Sequence, residues 1–145
     1  MRVSVALRTS GFIALCMAAA ASSAAQPGNL VPPGLYALTT ETLMPHLEEA
    51  LRYATVKNTR CLAGNSAESF FPLLRHEALS GCSLAATERA DSFVLSCRNP
   101  GAATGQATFE HSPSSMRATL ELKMGGKNMT LSQRVIGSRL GDCRN

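Results

Sequence analysis

The chain has 145 residues, 45% of them hydrophobic and 5% aromatic with no tryptophan, which indicates one domain with a thin core. Its formal net charge of +4 falls to +2 when residues 1–25 are set aside, because these hold Arg2 and Arg8 and leave 12 basic against 10 acidic residues. This near balance excludes a strongly cationic protein built to bind nucleic acid or a membrane surface.

Residues 1–25 have the layout of a secretory signal peptide. Two arginines make a positive start, residues 11–21 form a short apolar run, and residues 23–25 (Ser-Ala-Ala) are a small-residue cleavage site. The apolar run is shorter than the about 20 residues that a membrane-spanning helix needs. We therefore expect an exported protein whose mature chain, residues 26–145, has no transmembrane segment.

The first part of the mature chain mixes extended segments with one short helix. Residues 34–43 are rich in strand formers, and residues 55–62 look extended again. Between them, residues 45–52 fit either one or two helical turns or an irregular edge. An Asn-Ser pair offers a helix cap before residues 67–79, where Pro72 forces a break or a late start, so one short helix is predicted there.

Export changes the meaning of the cysteines. Acylation of Cys16, as in a lipoprotein, is disfavoured by the bulky Leu15 before it. The mature chain keeps Cys61, Cys82, Cys97 and Cys143. An even number of cysteines in an oxidising compartment indicates a disulfide framework. Zinc is the rival, but no Cys-x-x-Cys pair occurs and the three histidines have unrelated spacings, so no metal site is assigned.

Local patterning favours one of the three connectivities. Short extended runs around Cys82 and Cys97 flank the polar residues 87–91. Folding them as a hairpin places Cys82 opposite Cys97, and opposed residues have Cβ atoms about 4.5–5.5 Å apart, close to disulfide geometry. We predict Cys82–Cys97 and, with the remaining pair, Cys61–Cys143. By loop-closure entropy the short and the long loop should contribute about 3 and about 4–5 kcal/mol.

The clearest periodicity lies in residues 116–124, where apolar and polar side chains alternate with the period of a half-buried strand. Gly125 and Gly126 follow and supply the positive φ angles that a two-residue hairpin turn requires. Residues 127–136 return as the next strand. The alternation gives this hairpin one apolar and one polar face, and a slip by one residue would exchange the two faces.

Pairing across the two-glycine turn defines the apolar face, since it sets Leu122 against Met129. Upstream, residues 104–111 repeat the alternation, and a Ser-Pro turn brings Phe109 opposite Ala118. The predicted apolar face comprises Met116, Leu120, Leu122, Met129, Leu131 and Phe109. With the strand before the Asn-Pro-Gly turn, four strands follow one another through short turns, as in an antiparallel sheet.

The predicted fold class is therefore mainly β, with residues 26–145 as a single exported antiparallel β domain. The sheet is expected to be curved, or to form a partly open, barrel-like meander. One short helix and two disulfides complete the prediction.

Four motifs occur in a specific order along the mature chain. They are Pro33-Gly34-Leu35-Tyr36, Cys61-Leu62, Gly81-Cys82 and the ending Gly137-Ser138-Arg139-Leu140-Gly141-Asp142-Cys143. In this order the chain resembles the DUF3617 family of small exported bacterial proteins, over essentially the whole mature chain. Tyr36 stands where the family usually has Trp, Ser138 replaces an Arg, and Met44-Pro45 is what remains of a Met-Pro-rich loop. The resemblance implies a periplasmic location in a Gram-negative bacterium and supplies no activity.

No catalytic constellation emerges from the sequence. Nucleophilic catalysis needs a nucleophile, a base and a group that orients the base, yet the aspartates are Asp91 and Asp142 and no Gly-x-Ser-x-Gly elbow occurs. Asp142 is interpreted as stabilising a turn. His46, His76 and His111 lie in polar sequence and are interpreted as solvated surface. No cofactor is predicted, and a hydrolase is the least favoured function.

Methionine offers an alternative chemistry. Met44, Met116, Met124 and Met129 are candidates for binding Cu(I), since thioethers suit soft metals. The last three fall on the apolar face of the predicted hairpin, where methionine usually fills space. We therefore interpret these methionines as core packing.

Two binding functions stay open. The leading hypothesis is a non-enzymatic binding module for a small apolar ligand or an envelope component, because an antiparallel sheet with one apolar face can enclose a ligand or dock a protein. The alternative is a disulfide-stapled inhibitor or assembly accessory of an envelope protein. A sheet closed around a cavity would favour the ligand, whereas an open sheet with a filled core would favour a periplasmic protein partner. The sequence does not predict the oligomeric state.

Overall fold

The computed structural model describes residues 30–49, 52–63, 66–126 and 129–143, so the predicted signal peptide (1–25) lies outside the described residues. The strands are β1 Gly34–Leu43, β2 Tyr53–Leu62, β3 Cys82–Ala86, β4 Ser92–Cys97, β5 Ala103–His111, β6 Ser115–Met124 and β7 Thr130–Gly141. Within the described ranges, no helix has the length and apolarity to cross a membrane.

The seven strands form one open antiparallel sheet in the order β2-β1-β7-β6-β5-β4-β3. Strands β3 to β7 follow one another as a meander, and the β1–β2 hairpin joins this meander at β7. The predicted pairings of Cys82 with Cys97 and of Phe109 with Ala118 are both present. The mainly β, antiparallel and open fold class is thereby confirmed.

The β6–β7 hairpin has a register two residues away from the predicted one. Leu122 pairs with Leu131 instead of Met129. Met124 donates its amide to the carbonyl of Met129 at 2.8 Å, so the strands do not pair across a two-residue turn at Gly125 and Gly126. Because the error is an even number of residues, the predicted apolar side chains keep a common face.

Gly125 accounts for the shifted register. Its amide donates to the carbonyl of Ala102 at 2.8 Å, which continues the β5–β6 ladder by one residue and delays the turn. A Cβ at Gly125 would lie 1.7 Å from the carbonyl oxygen of Gly101, so only glycine fits this position. The positive φ that the sequence predicted for the turn occurs at Gly126, at 82°.

The predicted helix over residues 67–79 is wrong. Three 3-10 turns stand in its place, Ala67–Phe70, Pro72–Arg75 and Glu77–Leu79. Pro72 has no amide hydrogen and disfavours helical geometry in Phe71, which is extended at φ −110° and ψ 94°. His76 is extended as well, and its Nδ1 accepts the amide of Ala78 at 3.2 Å. Residues 67–79 are named the covering segment below.

The covering segment packs on one face of the sheet and fills the core. Phe70 and Phe71 each meet Phe109 edge to face, with ring centroids 5.4 and 5.6 Å apart, and Phe93 meets it at 5.4 Å. Of the predicted apolar-face residues, Phe109, Met116, Leu120 and Leu122 are buried in this core and Leu131 packs against it. Met129 is half-buried. The sheet is therefore open and its core is filled.

Both disulfides have the predicted connectivity. Cys61–Cys143 ties the end of β2 to the residues after β7, across β1, and Cys82–Cys97 joins β3 to β4. Each bond thus fastens one of the two outermost strands of the sheet.

Candidate functional site

An apolar cavity of about 210 Å³ lies where the tip of the β6–β7 hairpin meets the covering segment. It is named the methionine cavity here. Its lining comprises Met44, His46, Leu73, His76, Ala78, Leu79, Leu122, Met124, Met129 and Leu131. Leu79 and Leu122 are buried, whereas the two histidines are exposed. The cavity therefore has an apolar floor and a rim that carries sulfur and nitrogen.

Two features of the backbone bring Met44, Met124 and Met129 to the methionine cavity. Met124 and Met129 are directly opposed at the hairpin tip, so their side chains share the inner face of the sheet. Met44 directly follows β1. Its carbonyl accepts the amide of Leu47 at 3.1 Å, which turns the chain and holds His46 beside the cavity.

The methionines, which the sequence analysis assigned together to core packing, have different surroundings in the structure. Met116, only 2% exposed, lies in the core, whereas Met124 and Met129 are half-buried and line the cavity. His46 and His76 are exposed, as interpreted, yet both border the same cavity. These side chains meet only because the end of β1 lies beside the tip of the β6–β7 hairpin, and no local sequence motif predicts that contact.

The free edge of β2 is a second candidate site. All but two of its ten residues are exposed, and Tyr53 and Val56 are 68% and 58% exposed. Met44 donates its amide to the carbonyl of Arg52 at 2.9 Å, which makes the even-numbered residues of β2 the partners of β1 in the ladder. The backbone groups of the odd-numbered residues therefore point away from the sheet. They are Tyr53, Thr55, Lys57, Thr59 and Cys61.

The opposite edge of the sheet, at β3, is covered. The amide of Leu84 donates to Oε1 of Glu68 in the covering segment at 3.0 Å. A side-chain carboxylate thus occupies an outward amide of β3, so the two edges of the sheet are not equivalent.

The β2 edge is positively charged. Residues 52–62 include Arg52, Lys57 and Arg60 and no acidic residue. Burial, and then the nearby cation of Arg75, lower the pKa of Arg60. Nη2 of Arg60 also donates to the carbonyl of Ser69 at 2.9 Å, which ties β2 to the covering segment. The edge therefore combines unpaired backbone groups with a positive field.

The C-terminal motif, residues 137–143, links the end of the chain to the start of β1. Arg139 donates through Nη2 to the carbonyl of Pro33 at 3.2 Å and to the carboxylate of Asp142 at 2.5 Å. It thereby joins the start of β1 to the turn before Cys143. The other ion pairs in the described part of the chain are Arg89–Asp91 and Arg134–Glu41, and neither includes a histidine.

Comparison with known proteins gives one family. Residues 31–143 match the model of the family described as "Protein of unknown function (DUF3617)". No curated protein and no solved structure matches the chain.

Proposed function

The chain belongs to the DUF3617 family of proteins of unknown function, and we propose that it is an exported, periplasmic, non-enzymatic module that binds an envelope protein. Its partner is an extended, acid-rich segment that pairs along β2 as an eighth strand. The free edge of β2 is the observation that carries this proposal. The open sheet and the filled core favour a protein partner over an enclosed ligand as the main guest.

The backbone of β2 supports strand addition. Five residues in alternation direct their amide and carbonyl groups outward, and an edge of this kind is a template for a further strand. The disulfide Cys61–Cys143 fastens one end of β2, and the ladder with β1 holds the rest. A strand that is ordered before binding loses little entropy on binding, which favours affinity.

Charge selects the kind of partner. A second copy paired in antiparallel fashion about Lys57 would set Lys57 directly against Lys57. Like charges directly opposite one another destabilise a sheet. Glutamate or aspartate at alternate positions of the incoming strand would instead share the face of Lys57 and stand opposite its cation.

Two disulfides support the exported location. Disulfide bonds persist in oxidising compartments such as the bacterial periplasm and are rare in the cytosol. The pairs Cys61–Cys143 and Cys82–Cys97 would therefore form after export and hold the outer strands in place.

A proline scan of the outward amides tests the proposal. Thr59→Pro removes an outward amide hydrogen without removing a bond to β1, whereas the control Thr59→Val keeps that hydrogen and the branched shape. The probe is a ten-residue peptide of alternating glutamate and valine. We expect it to slow hydrogen exchange at the amides of Thr55, Lys57 and Thr59 in the wild type and in Thr59→Val, and not to bind Thr59→Pro.

Envelope extract provides the matching cellular experiment. A genuine partner is captured by the wild type and by Thr59→Val and is lost with Thr59→Pro. Lys57→Glu should weaken capture more than Lys57→Gln, because it reverses the charge that faces the partner. Capture unaffected by Thr59→Pro, or a dimer of this chain that Thr59→Pro dissociates, would overturn the proposal.

A small apolar ligand is the second candidate guest. The apolar floor of the methionine cavity favours it, although about 210 Å³ is below the roughly 300–1,000 Å³ of most ligand pockets. A single aromatic ring or a short acyl chain would suit this volume. Native mass spectrometry of protein taken from its own periplasm tests this candidate, and repeated absence of an organic adduct would count against it.

A further inference from the structure

We propose that the methionine cavity is a binding site for a soft monovalent metal ion, Cu(I), held by the sulfurs of Met44, Met124 and Met129 and by the imidazole of His46. The proposal does not depend on the docking of a partner along β2. Thioether and imidazole side chains are ligands that Cu(I) accepts, and hard cations prefer carboxylates and carbonyls.

The residue types that line the methionine cavity support a site for a soft metal ion. Five of its ten residues are methionine or histidine, and the others are leucine or alanine. Neither a carboxylate nor a thiol lines the cavity, and the four cysteines of the described chain are in disulfides. Soft donors without hard ones select against Mg²⁺ and Ca²⁺ and favour a metal that thioethers bind.

The distribution of methionine is not that of core filler alone. The chain has six methionines, two of which precede residue 26. Of the remaining four, Met116 is 2% exposed in the core. The other three meet at one cavity, although Met44 is far along the chain from Met124 and Met129. A cavity that served packing alone could be lined by leucine, and would not need three methionines.

The backbone holds these donors in place. Met124 and Met129 are joined by the 2.8 Å bond at the hairpin tip, and the turn from Met44 to Leu47 fixes the position of His46. The half-buried methionines give the ion a partly apolar surrounding. A monovalent ion carries a smaller desolvation cost than a divalent one, which suits a site without a carboxylate.

The two histidines have different roles. Nδ1 of His76 accepts the amide of Ala78, so the neutral ring carries its proton on Nε2 and has no free lone pair for a metal. Ligation by His76 would require that this hydrogen bond break. His46 is therefore the nitrogen ligand, and His76 stabilises the last turn of the covering segment.

Competition for Cu(I) tests the site. The purified protein, with both disulfides intact, is titrated without oxygen against a chromophoric Cu(I) chelator, with copper kept reduced by ascorbate. We expect one copper per chain. Replacing Met44, Met124 or Met129 by leucine should each lower the affinity about tenfold or more, the loss seen when a metal site loses a supporting group. The same replacement at Met116 should leave the affinity unchanged.

Leucine conserves the volume of methionine, so the variants are expected to fold, and a thermal melt checks this. His46→Ala should weaken binding and His76→Ala should not. A second readout is the methyl NMR signals of the methionines during titration with Ag(I), a redox-inert substitute. The signals of Met44, Met124 and Met129 should shift together while that of Met116 stays in place.

Two outcomes would overturn the metal site. Either the wild type fails to compete with the chelator, or the triple leucine variant competes as well as the wild type. An organic adduct in native mass spectra, with no uptake of copper, would leave the apolar-ligand candidate standing and reject the metal.

Discussion

The backbone amide of Leu73 donates a hydrogen bond of 3.2 Å to Oε1 of Gln133, a residue 60 positions away. The side-chain amide of Gln133 donates in turn to Oγ1 of Thr42 at 2.8 Å. Gln133 is only 4% exposed. One buried polar side chain thus ties the covering segment to β7 and β1, and it does so next to the methionine cavity, which Leu73 lines.

Replacing Gln133 by leucine should therefore destabilise the fold. The change keeps the approximate volume but leaves the Leu73 amide without its acceptor, and an unsatisfied buried donor costs about 1–3 kcal/mol. Urea unfolding with intact disulfides measures the free energy of unfolding. Ser132→Ala, at the neighbouring position, is the control. A Gln133→Leu variant as stable as this control would show that the bridge does not contribute.

The two disulfides should differ in their contribution. Cys61–Cys143 closes a loop of 82 positions and Cys82–Cys97 one of 15. Loop-closure entropy gives about 4–5 and about 3 kcal/mol for these bonds. Replacing each pair by alanine and comparing the free energies of unfolding checks the order. A larger loss on removing the shorter loop would contradict it.

The two glycines of the last hairpin should respond differently to substitution. Gly125→Ala forces a Cβ against the carbonyl of Gly101, so the β5–β6 ladder must distort, and we expect a loss of about 3 kcal/mol. Gly126 has open space around it and a φ of 82°, a conformation that asparagine tolerates. Gly126→Asn should cost less than about 1 kcal/mol on that ground. Equal losses in thermal melts would argue against the close approach at Gly125.

Asp91 should titrate below the usual range of an aspartate. Hydrogen bonds from the Arg89 guanidinium, both of 3.4 Å, lower its pKa in the loop between β3 and β4. A lowered pKa stabilises the folded state above the unfolded value, and this contribution is lost as the pH falls through the folded pKa. Arg89→Gln should raise the pKa of Asp91, as followed by carboxyl NMR, whereas the distant Arg117→Gln should not. No change in Arg89→Gln would exclude the pairing.

Much of the strand content could be read from local pattern. The period-two alternation of residues 116–124 predicts a strand and its sidedness, and the hairpin around residues 87–91 predicts both the strand register and the Cys82–Cys97 bond. These inferences succeed because alternation depends on near neighbours. The prediction of a helix over residues 67–79 failed because the first two turns end at the extended residues Phe71 and His76. Packing on Phe109 compensates for the lost helical bonds.

The register of the β6–β7 hairpin could not be predicted from the local sequence. Two adjacent glycines predict a two-residue turn, yet Gly125 is required for its closeness to the turn at Gly101, a contact made by a different part of the chain. The error was an even number of residues and so left the apolar face intact.

By itself, the amino-acid sequence determined the strand class, the apolar face, the disulfide pairing and the family motifs, because these depend on alternation, composition and short spacings. Only the tertiary structure decided that β1 lies beside β7, that β2 is left as the free edge, and that Met44 meets Met124 and Met129. The order of strands depends on pairings between segments far apart in the chain, such as β1 with β7, and a methionine has the same hydropathy whether it fills a core or lines a cavity.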